Sequence, residues 1–314
     1  MEGFFKSKKT IGITIVSVLL ILMLLINILS AVFLSFSLLK KDGWGKFEEY
    51  LYGEQLKTDS GWISEKSEKI QVVNREGEKL NGLKIKNENI SHSYIVTCHQ
   101  YGGSPESMEE YAKHFYDLGF NIILPYMRGH SESPYNKISF GWQDESDIID
   151  WIENIIKDDK KARIVLFGVS LGANAVTLAA TEELPTNVRL VISDSCYTSL
   201  DDLMKAYIKN ETKLSSLIVR GVISAYVKNK IGESLKNANT VSQLKNIELP
   251  IIFINGEDDA AVPPLVSKLL YENCDAEGVE EVVIENGTHG RNFEADADAY
   301  WENIDIFILN YLGI

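Results

Sequence analysis

Arg163-Ile164-Val165-Leu166-Phe167-Gly168-Val169-Ser170-Leu171-Gly172-Ala173-Asn174-Ala175 decides how this chain is read. An apolar run leads into Gly-x-Ser-x-Gly, and small, helix-compatible residues follow. The side chains from Ile164 to Phe167 avoid water, which predicts a buried strand. The strand must turn sharply into a helix at Ser170. Gly168 and Gly172 lack Cβ atoms, so the two arms of the turn can approach closely. Such a turn presents the serine hydroxyl at the top of a sheet, as in a nucleophile elbow. The helix starting at Leu171 points its free N–H groups at the same spot.

A serine hydroxyl is a weak nucleophile near neutral pH. It needs a base to take its proton and an acid to orient that base. Ligands of a doubly wound sheet lie at the carboxyl ends of its strands, so the partners belong just after predicted strands. Gly256-Glu257-Asp258-Asp259-Ala260-Ala261-Val262-Pro263 follows one such strand, and Asn286-Gly287-Thr288-His289-Gly290 follows the last. Of the five histidines, His289 alone has that last position. Glu257, Asp258 and Asp259 each stand where the orienting acid belongs. An oxyanion needs two backbone donors. The Leu171 N–H supplies one; the loop after Cys98, which holds Gln100 and Tyr101, supplies the other, and we assign Tyr101. His99 in that loop reads as a hydrogen-bonded structural histidine.

Around this centre the chain alternates strands and helices. Ile70–Val73 and Leu80–Ile85 flank a turn and predict a β-hairpin. Strands are expected at Tyr94–Cys98, Phe120–Leu124, Val188–Ile192, Pro250–Ile254 and Glu281–Ile284. Helices are expected at Ser107–Leu118, Trp142–Ile156, Pro264–Tyr271 and Ala295–Tyr311, the first with Ser107 as N-cap and Glu110 completing a capping box. The expected fold is α/β, a mostly parallel, doubly wound sheet with helices on both faces. Leu200–Leu244 breaks the alternation with helical segments and reads as an inserted cap, at about residues 199–248.

Ile11–Leu39 is nearly continuously apolar and uncharged, long enough to span a bilayer. It lacks a convincing cleavage site, so an uncleaved signal-anchor is expected. Lys6, Lys8 and Lys9 before it outnumber Lys40 and Lys41 after it, which favours an N-terminus inside and the large domain outside. The expected organisation is a cytoplasmic tip and transmembrane helix over 1–40, a lead-in with helical character around Lys46–Leu56 over 41–68, and the main domain over 69–314. Trp44 and Tyr50 suit either an interfacial anchor or packing on the domain. The 314 residues carry a formal net charge of −14, which argues against a nucleic-acid partner. Cys98, Cys196 and Cys274 are widely spaced and read as buried free thiols. Neither a cofactor motif nor a metal-ligand cluster is present in the sequence.

Taken together, His99-Gln100-Tyr101-Gly102-Gly103, Arg128-Gly129-His130-Ser131-Glu132-Ser133, Gly141-Trp142-Gln143-Asp144-Glu145, Gly168-Val169-Ser170-Leu171-Gly172, Gly256 to Pro263 and His289 resemble the α/β-hydrolases. The resemblance is strongest to bacterial membrane-anchored serine hydrolases of the esterase and acyl-peptidase branch. The family pattern Gly-x-x-Asp-x-x-Val-Pro places its aspartate on Asp259. The resemblance therefore implies Ser170 as nucleophile, His289 as base and Asp259 as its orienter. It implies cleavage of a carboxylic ester, thioester or amide of a small acyl substrate, without a cofactor, in a domain held outside the cell membrane. An acyl-peptidase or acyltransferase would use the same residues. A reading of another class is a non-catalytic, membrane-tethered binding protein on the same fold. Two departures bear on the pocket: Gln100 replaces the glycine of the usual His-Gly-x loop, and Ser131 the second glycine of Arg-Gly-His-Gly-x-Ser.

Overall fold

The computed structural model describes the backbone of residues 2–53, 61–212 and 214–313 and the side chains from Thr10 onward. Three helices come first: α1 (Glu2–Leu38), α2 (Gly45–Tyr52) and α3 (Trp62–Lys66). The hairpin β1 (Glu68–Val73) and β2 (Lys79–Ile85) follows, then β3 (Ser93–Cys98), α4 (Glu109–Asp117), β4 (Asn121–Pro125) and α5 (Asp144–Asp158). After β5 (Arg163–Val169), α6 (Leu171–Ala179) and β6 (Val188–Asp194) come two consecutive helices, α7 (Leu200–Glu211) and α8 (Ser216–Ile231). The chain ends with β7 (Ile251–Gly256), α9 (Pro264–Glu272), β8 (Val279–Ile284), α10 (Asn292–Ala295) and α11 (Ala297–Leu312).

The eight strands form one sheet in the order β1-β2-β4-β3-β5-β6-β7-β8. β2 runs antiparallel to both its neighbours, and every other pairing is parallel. β5 lies inside the sheet, between β3 and β6, and its side chains alternate between two cores. Ile164 and Leu166 join the core formed with Ile148, Trp151 and Val176 of α5 and α6. Val165, Phe167 and Val169 join the core with Phe115 of α4 and Ile304 and Phe307 of α11. Burial on both faces explains the continuously apolar strand sequence. It also places the carboxyl ends of β3 to β8 along one edge, where the motif loops meet.

Three local expectations change. The helix expected from Ser107 begins earlier, as a 3₁₀ turn over Pro105–Met108 capped by Ser104. Pro105 suits a first-turn position because its missing N–H has no partner to lose there. Ser107 instead closes the box, its Oγ accepting from the Ser104 N–H (3.1 Å). The last helix is broken at Asp296, whose side chain accepts from the Ala299 N–H and caps α11. The helix expected over Lys46–Leu56 ends at Tyr52 before Gly53; residues 54–56 lie outside the described residues.

The stretch Thr10–Leu38 of α1 is long and apolar enough to cross a membrane. Its two halves have different surroundings. From Ile11 to Ile26 the large apolar side chains are exposed. At Ala31, Leu34, Ser35 and Leu38 a stripe with spacing of one helical face is buried against the domain. Burying Leu34 and Leu38 contributes roughly 1.5–3 kcal/mol each. α8 packs along α1, and the Ser215 N–H donates to Asn27 Oδ1 (2.8 Å). Trp44 and Tyr50 pack on the domain, with Trp44 edge-on to Phe33 and Tyr207. All three cysteines are buried and free.

Candidate active site

Ser170 stands at the turn from β5 into α6 with φ 53° and ψ −108°. A non-glycine residue held there costs on the order of 1–3 kcal/mol, which the surroundings must offset. Its N–H donates to the Asp194 carbonyl (2.8 Å) on β6, fixing the turn to the sheet. The flanking glycines are required by close approach. A Cβ on Gly172 would lie 2.1 Å from the Cys98 carbonyl oxygen, and one on Gly168 would lie 2.3 Å from the Gly172 backbone.

Residues from three strand ends meet at this turn. His289, after β8, places Nε2 2.7 Å from Ser170 Oγ. Asp259, after β7, places Oδ2 2.7 Å from His289 Nδ1. The second oxygen of Asp259 accepts from the N–H groups of Ala261 (2.9 Å) and Val262 (2.6 Å). With the Nδ1 proton facing Asp259, Nε2 is left to accept from the serine hydroxyl. Ser170, His289 and Asp259 are all at most 3% exposed. The competing acids separate by geometry: Glu257 and Asp258 are exposed, and only Asp259 turns inward to the imidazole.

The histidine loop is held from below by a buried network. Asp194 accepts from Tyr300 Oη (2.8 Å), Asn292 Nδ2 (2.6 Å) and Ser195 Oγ (2.9 Å). Ser195 Oγ in turn accepts from the Gly290 N–H (3.0 Å), one residue beyond His289. Burial pushes the Asp194 carboxyl up to about 6 against the hydrogen bonds that favour its charged form. No motif in the sequence singled out Asp194, Asn292 or Tyr300.

Two more histidines lie beside the site. His99 donates from Nδ1 to the Gln100 carbonyl (2.9 Å), and its Nε2 accepts from the Met127 N–H (3.2 Å). His130 likewise donates from Nδ1 to the Arg128 carbonyl (3.0 Å), and its Nε2 accepts from the Gly102 N–H (3.0 Å). Desolvation is the main cause that holds both imidazoles neutral, pushing His130 down to about 4 and His99 well below its ordinary range. They shape the loop that carries Tyr101. The other motif residues are scaffold as well. Arg128 bonds both Asp147 oxygens (2.7 and 2.9 Å) and lies over the Tyr135 ring. Asp144 gathers the Arg128 N–H, the Gly141 N–H and the Ser139 hydroxyl.

The two expected backbone donors have different settings. Leu171 opens α6, where first-turn N–H groups have no intrahelical partner. The Tyr101 N–H faces the hydroxyl of Tyr52, the last residue of α2. The ring of Tyr52 is stacked on His289, with centroids 5.8 Å apart and planes 19° apart. Its fully buried hydroxyl faces both Ser170 and the Tyr101 N–H without completing a hydrogen bond to either. Gln100 is buried beside Gly103, with Oε1 unpartnered. Among the described residues, no group of three His, Cys, Asp or Glu side chains could hold a metal ion.

The comparisons with known proteins agree with this architecture. A family model described as the alpha/beta hydrolase fold matches residues 94–211, from β3 through α7. The uncharacterised protein YqkD of Bacillus subtilis is 24% identical over 220 residues, 69% of this chain and 71% of that protein. An uncharacterised membrane protein of Saccharomyces cerevisiae is 24% identical over 247 residues, 77% and 79% of the two chains. Among solved structures, the Pyrococcus furiosus esterase Pf2001 superposes with a TM-score of 0.68 at 18% identity, covering 82% of this chain and 99% of the esterase. The acylaminoacyl peptidase of Pyrococcus horikoshii superposes with a TM-score of 0.53 at 18% identity, over 79% of this chain and 42% of the peptidase. With its eight-stranded, mostly parallel sheet, this chain has the alpha/beta hydrolase fold.

Proposed function

We propose that the chain is a membrane-anchored serine hydrolase that cleaves a carboxylic ester, or a related thioester or amide, through an acyl-enzyme. The observation that carries this reading is the unbroken line from Ser170 Oγ through His289 to Asp259, each link 2.7 Å long. Ser170 Oγ attacks the substrate carbonyl while His289 Nε2 takes its proton. The C–O bond to the leaving alcohol then breaks, and His289 returns the proton to that oxygen. Water, deprotonated by His289, attacks the acyl-enzyme and releases the carboxylic acid. Asp259 fixes the imidazole tautomer and faces the positive charge that forms on the ring. The N–H groups of Leu171 and Tyr101 take the oxyanion.

The anchor in this reading is α1, whose stretch Thr10–Leu38 is long and apolar enough to cross a membrane and whose large apolar side chains from Ile11 to Ile26 are exposed. The lysine bias supports a hydrolase domain outside the cell. α7 and α8 form the cap. A chain-length series of p-nitrophenyl esters, assayed with the full chain in detergent, tests the reading together with fluorophosphonate labelling. Turnover and labelling should both vanish in Ser170→Ala. Labelling that persists in Ser170→Ala would refute the assignment of the nucleophile.

A further inference from the structure

Tyr52 lies outside every hydrolase motif in the sequence, yet it is only 3% exposed and stands at the centre of the site. Its ring covers His289, and its hydroxyl faces the Ser170 hydroxyl and the Tyr101 N–H. A substrate carbonyl must enter between those two groups, its carbon on Ser170 Oγ and its oxygen on the Tyr101 N–H. We infer that α2 is a plug, that the Tyr52 hydroxyl holds the carbonyl-oxygen position, and that the site opens to an apolar acyl chain only when this helix is displaced. The inference rests on the proposed role of Ser170.

The seat of the plug supports it. Phe47 of α2 sits edge-on to Tyr101 (5.0 Å) and Tyr207 (4.9 Å). Glu48 lies against the backbone of Gly43 and Gly102, where a Cβ on Gly102 would meet its carboxyl carbon at 2.4 Å. Desolvation in that position pushes the Glu48 carboxyl up. A layer of aromatic rings thus runs from the exposed Phe33 on α1 through Trp44, Tyr207 and Phe47 to the oxyanion loop. What replaces such a layer without exposing it to water is an apolar chain.

The plug is also tied to the apolar helix. The Tyr101 hydroxyl donates to the Leu38 carbonyl at the end of α1 (2.8 Å). The Asp42 N–H donates to the Gly129 carbonyl, and Asp42 Oδ1 accepts from the Ser131 N–H. The residue that carries an expected oxyanion donor therefore also grips the segment that leads from α1 into α2. The unpartnered Tyr52 hydroxyl is a cost of the closed state. Displacement of α2 relieves it and frees the Tyr101 N–H for the substrate oxygen.

The test is the rate of fluorophosphonate labelling of Ser170 in full-length protein in phosphatidylcholine nanodiscs, for wild type, Tyr52→Phe, Tyr52→Ala and Ser170→Ala. Thermal melts establish that each variant is folded. Tyr52→Ala should label about tenfold faster than wild type or more, since a site open only a fraction of the time reacts in proportion to that fraction. Tyr52→Phe keeps the ring on His289 and should show a smaller rise. Equal labelling of wild type and both Tyr52 variants overturns the plug while leaving the serine assignment intact. Slower labelling in Tyr52→Phe also overturns it, and makes the hydroxyl an oxyanion donor instead. If no variant is labelled, Ser170 is not a nucleophile, and both readings fall.

Discussion

Two histidine clusters lie along the same edge of the sheet, and both are buried. His289 meets the carboxylate of Asp259 on one side and the hydroxyl of Ser170 on the other. His99 and His130, with ring centroids 5.0 Å apart, hydrogen-bond to backbone groups. A carboxylate can face a positive charge that appears on His289 during a reaction. Among the described residues no carboxylate hydrogen-bonds to either ring of the other pair, where each ring would repel charge on its neighbour. Burial therefore does not separate His289 from the other two imidazoles; their partners do. The His99–His130 pair instead uses both ring nitrogens to hold loop backbone in place.

The largest effects should come from breaking the first cluster. Ser170→Ala and His289→Ala should each lower ester turnover by about six orders of magnitude, and the double variant by little more, because the residues act as one unit. Steady-state kinetics of the two single variants and the double variant check this; additive losses would argue against a shared mechanism. Asp259→Asn should cost about 10⁴ in kcat, since the amide can donate to Nδ1 and stabilise the wrong tautomer. That loss should leave KM nearly unchanged, which separates it from a disturbed pocket.

A fourth substitution probes what holds the cluster. Asp194→Asn places an amide among the Tyr300, Asn292 and Ser195 donors, so one donor must lose its acceptor. A broken buried hydrogen bond of this kind costs about 1–3 kcal/mol. The melting temperature should fall accordingly. The fall in kcat should be smaller than for Asp259→Asn, because the hydrogen-bond route from Asp194 toward His289 runs through Ser195 and Gly290 and ends on backbone rather than on the imidazole. A kcat loss equal to that of Asp259→Asn would instead make Asp194 a direct partner of the imidazole.

What the sequence disclosed, and what it did not, follows the range of the interactions. The turn at Ser170 was legible because the apolar strand, both glycines and the small helix residues are neighbours in the chain. Three adjacent acids could not be told apart from residue type alone. Asp259 differs from Glu257 and Asp258 only in turning inward, where two backbone N–H groups and His289 await it. Tyr52 left no local trace. Its contacts with His289 and Ser170 join positions more than 100 residues apart, and its own helix carries no motif. The point where α1 begins to pack on the domain was also hidden. α1 is apolar on nearly all sides from Ile11 to Phe36, so composition cannot separate the turns that stay exposed from those that face the domain. The spacing of Ala31, Leu34, Ser35 and Leu38 becomes informative only once a partner surface is present.

The smallest effect on turnover should come from the second cluster, and its clearer signature is in stability. His130→Gln keeps one donor and one acceptor, so Gly102 and Arg128 can retain partners. Turnover should drop by no more than about ten- to a hundredfold, through displacement of the Tyr101 loop. Stability then follows the protons. His130 titrates near 4 in the folded protein and near 6.5 in an unfolded chain. Between these values the unfolded state binds the additional proton, so this residue's contribution is intact above about pH 6.5 and is lost as the pH falls toward 4. The full difference is on the order of 3 kcal/mol. Asp194 and Asp144 act in the opposite direction, because burial raises both to about 6 and protonation favours their folded state. The wild-type profile is thus a difference of opposing slopes. Removing His130 leaves the acids' slope less opposed, and the variant should gain stability relative to wild type as the pH drops from 7 to 4. Urea unfolding of both proteins at pH 7, 5.5 and 4 measures that relative gain. Parallel profiles would mean that His130 titrates alike in the folded and unfolded protein, and the contrast between the two histidine clusters would collapse.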